Sequence, residues 1–270
     1  MTAASVGGTT QRPPKPGRSM LLPVGLAVAA LITYWALSAE FGIGIDLGAI
    51  LEDIPRGSII LSEVLRPNFA FFPRTTGAML ETIQMAIIAT AIGCGIALPA
   101  AFLASRITAP NVPVLRINRA ILNVIRALPD LLYAMIFVTA VSIGPLAGIL
   151  ALVFFNIGVI AKLLSETVDG IDVGPIEAAR AAGANRVATV LTAVFPQVLP
   201  NYVAYSLYVF ELNIRASTVI GIVGAGGIGN VLNAQIGFFR YDNVGLVILE
   251  LFVLVLAIEL VSVFLRRRLV

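Results

Sequence analysis

Chemistry needs nucleophiles, bases and metal ligands, and this 270-residue chain is short of all three. It contains no histidine, which removes the commonest general base, the commonest metal ligand and the HExxH metalloprotease arrangement together. Its single thiol, Cys94, stands in Ala91-Ile92-Gly93-Cys94-Gly95 with no disulfide partner and no metal-ligand spacing, so it is expected to pack. Asp169-Gly170-Ile171-Asp172, with Glu166 one turn earlier, brings carboxylates near one another. Without nitrogen or sulfur ligands nearby it reads as a turn, with Asp172 close to the next helix start. No catalytic residue and no metal site is assigned. Gly224-Ala225-Gly226-Gly227-Ile228-Gly229 satisfies GxGxxG, but a dinucleotide site needs a strand before it, a helix after it and an acidic residue about 20 positions on. This stretch lies between two apolar runs instead. Gly221, Ala225 and Gly229 recur every four residues, the spacing that lets membrane helices approach closely, and Gly224, Gly226 and Gly227 suit a gate or hinge. Packing is one role for the segment; a short re-entrant element on the external side is the functional version.

The elements that must position these residues follow from composition. Hydrophobic residues make up 59% of the chain and charged residues 12%, with a mean hydropathy of +0.97, whereas soluble domains carry roughly 25% charged residues. Water is therefore not the main solvent. The net charge of +3 is spread between apolar runs and is not gathered into a patch with aromatics, so no nucleic-acid partner is expected. Residues 1–19 read as a disordered cytoplasmic tail, and residues 20–75 as an anchor helix, Met20 to Leu37, followed by an external amphipathic segment. Further spans are expected at 78–104, 121–143, 146–166, 194–214 and 244–265. The chain is thus an all-α integral membrane protein with about six crossings. Arg12, Lys15, Arg18, Arg106, Arg116, Arg119, Arg180, Arg186 and Arg266 to Arg268 form the more basic set, which places both termini in the cytoplasm.

A charge at the bilayer centre costs about 2.5 to 3.5 kcal/mol on insertion scales, so ionisable groups in or near spans carry information. They are Arg126, Asp130, Lys162, Glu211, Arg215, Glu250 and Glu259. Arg126 and Asp130, four apart, suit an ion pair near the inner interface, and Lys162 can extend its ammonium to the headgroups.

The cytoplasmic loop at 167–193 is the most informative segment. In Gly174-Pro175-Ile176-Glu177-Ala178-Ala179-Arg180-Ala181-Ala182-Gly183, proline suits a first helical turn and glycine the residue past a helix end, which marks out a helix of about two turns. Asn185 can then cap a second helix running toward Phe195-Pro196. Ala178, Ala181 and Ala182 share a face and leave a low ridge able to seat in a partner's groove, with Glu177 at the positive end of the helix dipole. The same features suit a connector helix that touches only headgroups.

Glu177-Ala178-Ala179, three residues, Gly183, nine residues, then Ala193-Val194-Phe195-Pro196 resembles the EAA signature of bacterial ABC importer permeases. Ala193 and Phe195 replace that signature's Ile and Leu by other apolar residues. Leu80-Glu81-Thr82, Ala97-Leu98-Pro99-Ala100-Ala101, Arg126-Ala127-Leu128-Pro129-Asp130, Glu211-Leu212-Asn213-Ile214-Arg215-Ala216-Ser217-Thr218 and the glycine-rich stretch are similar to the phosphonate-type branch. The resemblance covers residues 76–270 and implies a type I importer transmembrane fold. It implies that Pro175, Glu177, Ala178, Ala179, Ala182 and Gly183 form a coupling helix docking on an ATPase subunit. It further implies a second permease subunit, in a homo- or heterodimer, two ATPases, an extracytoplasmic binding protein, and residence in the bacterial inner membrane.

No G-x-x-x-x-G-K-[ST] phosphate loop occurs, so ATP and Mg belong to the partner ATPase, this chain needs no cofactor, and it is not an enzyme. Arg126, Glu211, Asn213, Arg215, Ser217 and Thr218 are the expected pathway residues. The last five cluster at the outer end of the fifth span and supply N–H and O–H donors to an oxyanion, with Glu211 pairing Arg215 at rest. Cargo of the methionine or quaternary-amine type is the alternative. A secondary transporter should show internal repeats, and none is seen.

Overall fold

The computed structural model describes residues 21–37 and 47–266, so the expected N-terminal tail, part of the external segment and Arg267 and Arg268 lie outside the described residues. Among the described residues every regular element is helical. Close contacts divide the chain into two units, 1–58 and 59–270. In the first, α1 (Leu21–Leu37) is apolar throughout and turns Leu22, Leu26, Leu31 and Trp35 outward. Most of α2 (Leu47–Val64) belongs here too, with Pro55 inside it.

The second unit is a bundle. A short turn at Phe69–Phe71, capped by Asn68, leads into α3 (Phe72–Ala104), which starts before the expected span. Next come α4 (Val112–Ala127) and α5 (Asp130–Val141), then α6 (Pro145–Asp169). The loop helices are α7 (Gly174–Ala181) and α8 (Arg186–Thr189), followed by α9 (Phe195–Gly221), α10 (Ile228–Gly237) and α11 (Tyr241–Arg266). Among the described residues four helices are long and apolar enough to cross a membrane, and five spans result if α4 and α5 count as one bent span. The sixth expected crossing falls on α1, a shorter apolar helix of 17 residues.

The core is built where α3, α6 and α9 meet. Lipid tails are as apolar as leucine, so membrane helices associate by close packing, and small residues at the contact permit it. Ala86, Ala89, Ala97 and Ala101 of α3 and Ala151 and Ala161 of α6 are completely buried. Large apolar side chains of α11 such as Phe252, Leu256 and Leu260 face outward, the inverse of a water-soluble bundle.

Two expected spans need correction. The run 121–143 is not one helix: α4 and α5 meet at a bend of 87°. Leu128 before Pro129 is driven to an extended backbone, φ −96° and ψ 133°, as steric clash with the following proline ring requires. The fifth span does not stop at 214 but continues as α9 to Gly221. Glu211 and Asn213 therefore lie well inside a helix, with Asn213 donating to Thr90 in the middle of α3 at 2.8 Å.

Candidate functional site

The loop between α6 and α9 is organised by hydrogen bonds at each corner. Asp172 Oδ1 accepts from Gly174 N at 2.9 Å where α7 begins, and Pro175 occupies its first turn. At the other end Gly183 has φ +83°, a left-handed conformation in which a side chain would clash with the backbone. Ala184 N donates to Ala179 O and Gly183 N to Arg180 O, both at 3.0 Å, which together make the Schellman closure of a helix. Asn185 then accepts from Ala188 N at 2.8 Å and caps α8. Ile176 is buried and fastens α7 to the bundle, while Glu177, Ala178, Ala181, Ala182 and Gly183 are exposed. Ala179 is half-buried, and Pro175 is exposed. Between α8 and α9 the chain passes through a wide π-type turn, Val190–Val194, closed by Phe195 N donating to Val190 O. Pro196 follows and has no N–H with which to continue an ordinary ladder.

The expected pathway residues fall into two places. Glu211, Asn213, Arg215, Ser217 and Thr218 share α9. Glu211 is 8% exposed, pairs with Arg215 one turn on, and has Arg266 of α11 at 3.7 Å on its other oxygen. Asn213 and Ser217 are completely buried, and Ser217 and Thr218 donate their hydroxyls to Ile214 O. Arg215 is the accessible member, its side chain 48% exposed. Arg126 is elsewhere, at the end of the bundle that carries α7, and it donates to Asn123 Oδ1 at 2.7 Å. It forms no ion pair with Asp130, because the break at Leu128-Pro129 removes the helical spacing such a pair requires. Asp130 accepts from Leu131 N instead. Lys162 pairs with Glu166 at 2.5 Å.

The glycine-rich stretch is a turn between α9 and α10. Gly224, Gly226 and Gly227 all have positive φ, so Gly221, Ala225 and Gly229 do not line one helix; Gly221 and Gly229 instead face each other across the turn. Two residues of an earlier motif hold it: Glu81 accepts from Gly227 N and Thr82 from Ile228 N, each at 2.8 Å. Gly144 N also donates to Gly224 O at 2.9 Å. A second knot, not expected from the sequence, gathers the ends of α3 and α6. Asp169 accepts from Ser105 Oγ at 2.7 Å, Arg106 N at 2.6 Å and Arg119 Nη2 at 2.9 Å. No metal-ligating cluster occurs among the described residues.

Apolar spans around a small-residue core, with a capped loop helix at one end, define an all-helical integral membrane protein. Residues 95–270 match the family described as binding-protein-dependent transport system inner membrane component, and the chain belongs to that family. Its members are permeases and not enzymes. The chain is 36% identical to the phosphite transport system permease protein PtxC of Stutzerimonas stutzeri over 243 residues, covering 90% of this chain and 88% of that one. It is 41% identical over 212 residues to the phosphate-import permease protein PhnE of Mycolicibacterium smegmatis, covering 78% of this chain but only 40% of that longer relative. Its fold is similar to that of a chain from the MetNI methionine ABC transporter solved in inward-facing conformations, with TM-score 0.66 and 24% identity over 75% of this chain and 99% of that one. The type I importer permease fold expected from the motifs is thus the fold found.

Proposed function

We propose that this chain is the membrane-spanning subunit of an ATP-driven importer for phosphonate-, phosphite- or phosphate-like oxyanions, working as a dimer with two ATPase subunits and an extracytoplasmic binding protein. The observation that carries the reading is α7: a two-turn helix fixed at both ends, anchored inward by Ile176 and presenting Glu177 and three alanines outward. Such a face fits a cleft on a second protein, and Glu177 offers that protein a carboxylate. The oxyanion assignment rests on the phosphonate-type motifs together with relatives named for phosphate and phosphite.

On this reading the α7 end and both termini face the cytoplasm, the 1–19 tail and the 20–75 anchor segment precede a transport domain at 76–270, and ATP-driven approach of the two ATPases pushes the paired α7 helices together. Glu211, held between Arg215 and Arg266, keeps the anion from binding Arg215 too firmly to leave. Glu177→Arg and Gly183→Leu variants are expected to insert normally yet lose ATP-dependent uptake of phosphite or phosphonate in reconstituted vesicles; normal transport by both would refute the docking role. Unchanged uptake by Arg215→Ala would remove that residue from the pathway.

A further inference from the structure

A cavity of about 370 Å³ opens at the α7 end between α4, α6 and the end of α3, away from the α9 cluster. Four cationic side chains line it, Arg106, Arg119, Arg126 and Lys162, against two carboxylates, Glu166 and Asp169. Each carboxylate already has a partner, since Lys162 pairs with Glu166 at 2.5 Å and Arg119 with Asp169 at 2.9 Å. Arg126 donates only to a neutral amide oxygen, and the Arg106 side chain has no carboxylate partner among the described residues. The wall therefore holds two guanidinium charges in excess of its acids. Polyvalent oxyanions supply what such a wall lacks: a phosphate group carries about 1.5 to 2 negative charges and several acceptor oxygens, and guanidinium forks match it bidentately. Basic pockets between membrane helices at the cytoplasmic side are also where phospholipid headgroups sit.

We propose that this cavity is a phosphate-group site, held by Arg106 and Arg126 with Arg119 as the third donor. The group comes from free inorganic phosphate or from an anionic phospholipid headgroup. Arg126, expected on the pathway, is assigned to this site instead, and the headgroup source rests on the proposed cytoplasmic placement of the α7 end; because the site uses neither α7 nor α9, its failure and the failure of the transport reading are separable.

The test uses the full-length chain in two arms. In nanodiscs of phosphatidylcholine alone, inorganic phosphate is titrated at constant ionic strength and binding is read by calorimetry. In parallel, the phosphatidylglycerol retained through purification is quantified by mass spectrometry. Arg106→Gln/Arg126→Gln is expected to weaken phosphate binding at least about tenfold, or to lose the retained phosphatidylglycerol, while Arg74→Gln changes neither. The first result identifies free anion as the occupant and the second a headgroup. If the double variant does not fold, each single variant is measured. Wild-type protein that binds neither probe, or binding indifferent to every Arg106 and Arg126 change, overturns the proposal.

Discussion

Gly183 and Gly229 both stand at helix boundaries, yet a methyl group harms them for different reasons. At Gly183 the space is open and only the backbone conformation resists, which for an L-residue costs roughly 1–2 kcal/mol. At Gly229 an added Cβ would run into Thr218 O and the Gly221 Cα, both on backbone that cannot swing aside. Gly229→Ala is therefore expected to abolish accumulation of folded protein, whereas Gly183→Ala yields folded protein with a modestly lower melting temperature in detergent. Asp169 makes a third test. Asp169→Asn removes the charge facing Arg119 and should cost about 1–3 kcal/mol at this partly exposed site, read as thermal destabilisation. Gly183 and Asn185 were legible because a helix cap is local chemistry. Asp169 was not, since its partners Ser105, Arg106 and Arg119 lie 64, 63 and 50 positions away.

At the scale of elements, the link from α3 to α10 shows what sequence reading could and could not reach. Leu80-Glu81-Thr82 and the glycine-rich stretch were both recognisable as motifs, but nothing in either string says that one accepts the backbone N–H groups of the other. Thr82→Val leaves the Ile228 N–H buried without an acceptor, a cost of about 1–3 kcal/mol. Glu81→Gln keeps an acceptor for Gly227. Hydrogen exchange should therefore speed up at residues 226–230 more in Thr82→Val than in Glu81→Gln; equal effects would mean that the contact is not what holds the turn. The bend between α4 and α5 had a visible signal in Pro129, but apolar residues continue on both sides of it, and hydropathy alone merges two helices that meet at 87°. Helix α9 outran its expected end for a related reason. Glu211 and Arg215 lower the local hydropathy, and their pairing, with Arg266 on the other carboxylate oxygen, offsets the cost of charge in a longer helix.

For the whole molecule, the proposed transport role calls for a second permease subunit, identical or related, across a two-fold interface. Co-expressed with its ATPase and any partner permease, the chain is expected to purify as a particle holding two permease and two ATPase subunits, measurable by native mass spectrometry; a stable particle with one permease subunit would contradict this. The wide turn at Val190–Val194 has a mechanical consequence. On the proposed docking role, a thrust delivered at α7 passes toward α9 through the caps at Asp172, Gly183 and Asn185. The first departure from an ordinary helical ladder on that path is the five-residue π turn before Phe195-Pro196, which is wider than an α-turn and is followed by a residue with no N–H. On that reading the joint turns thrust into rotation of α9 about its long axis, which would reorient Arg215.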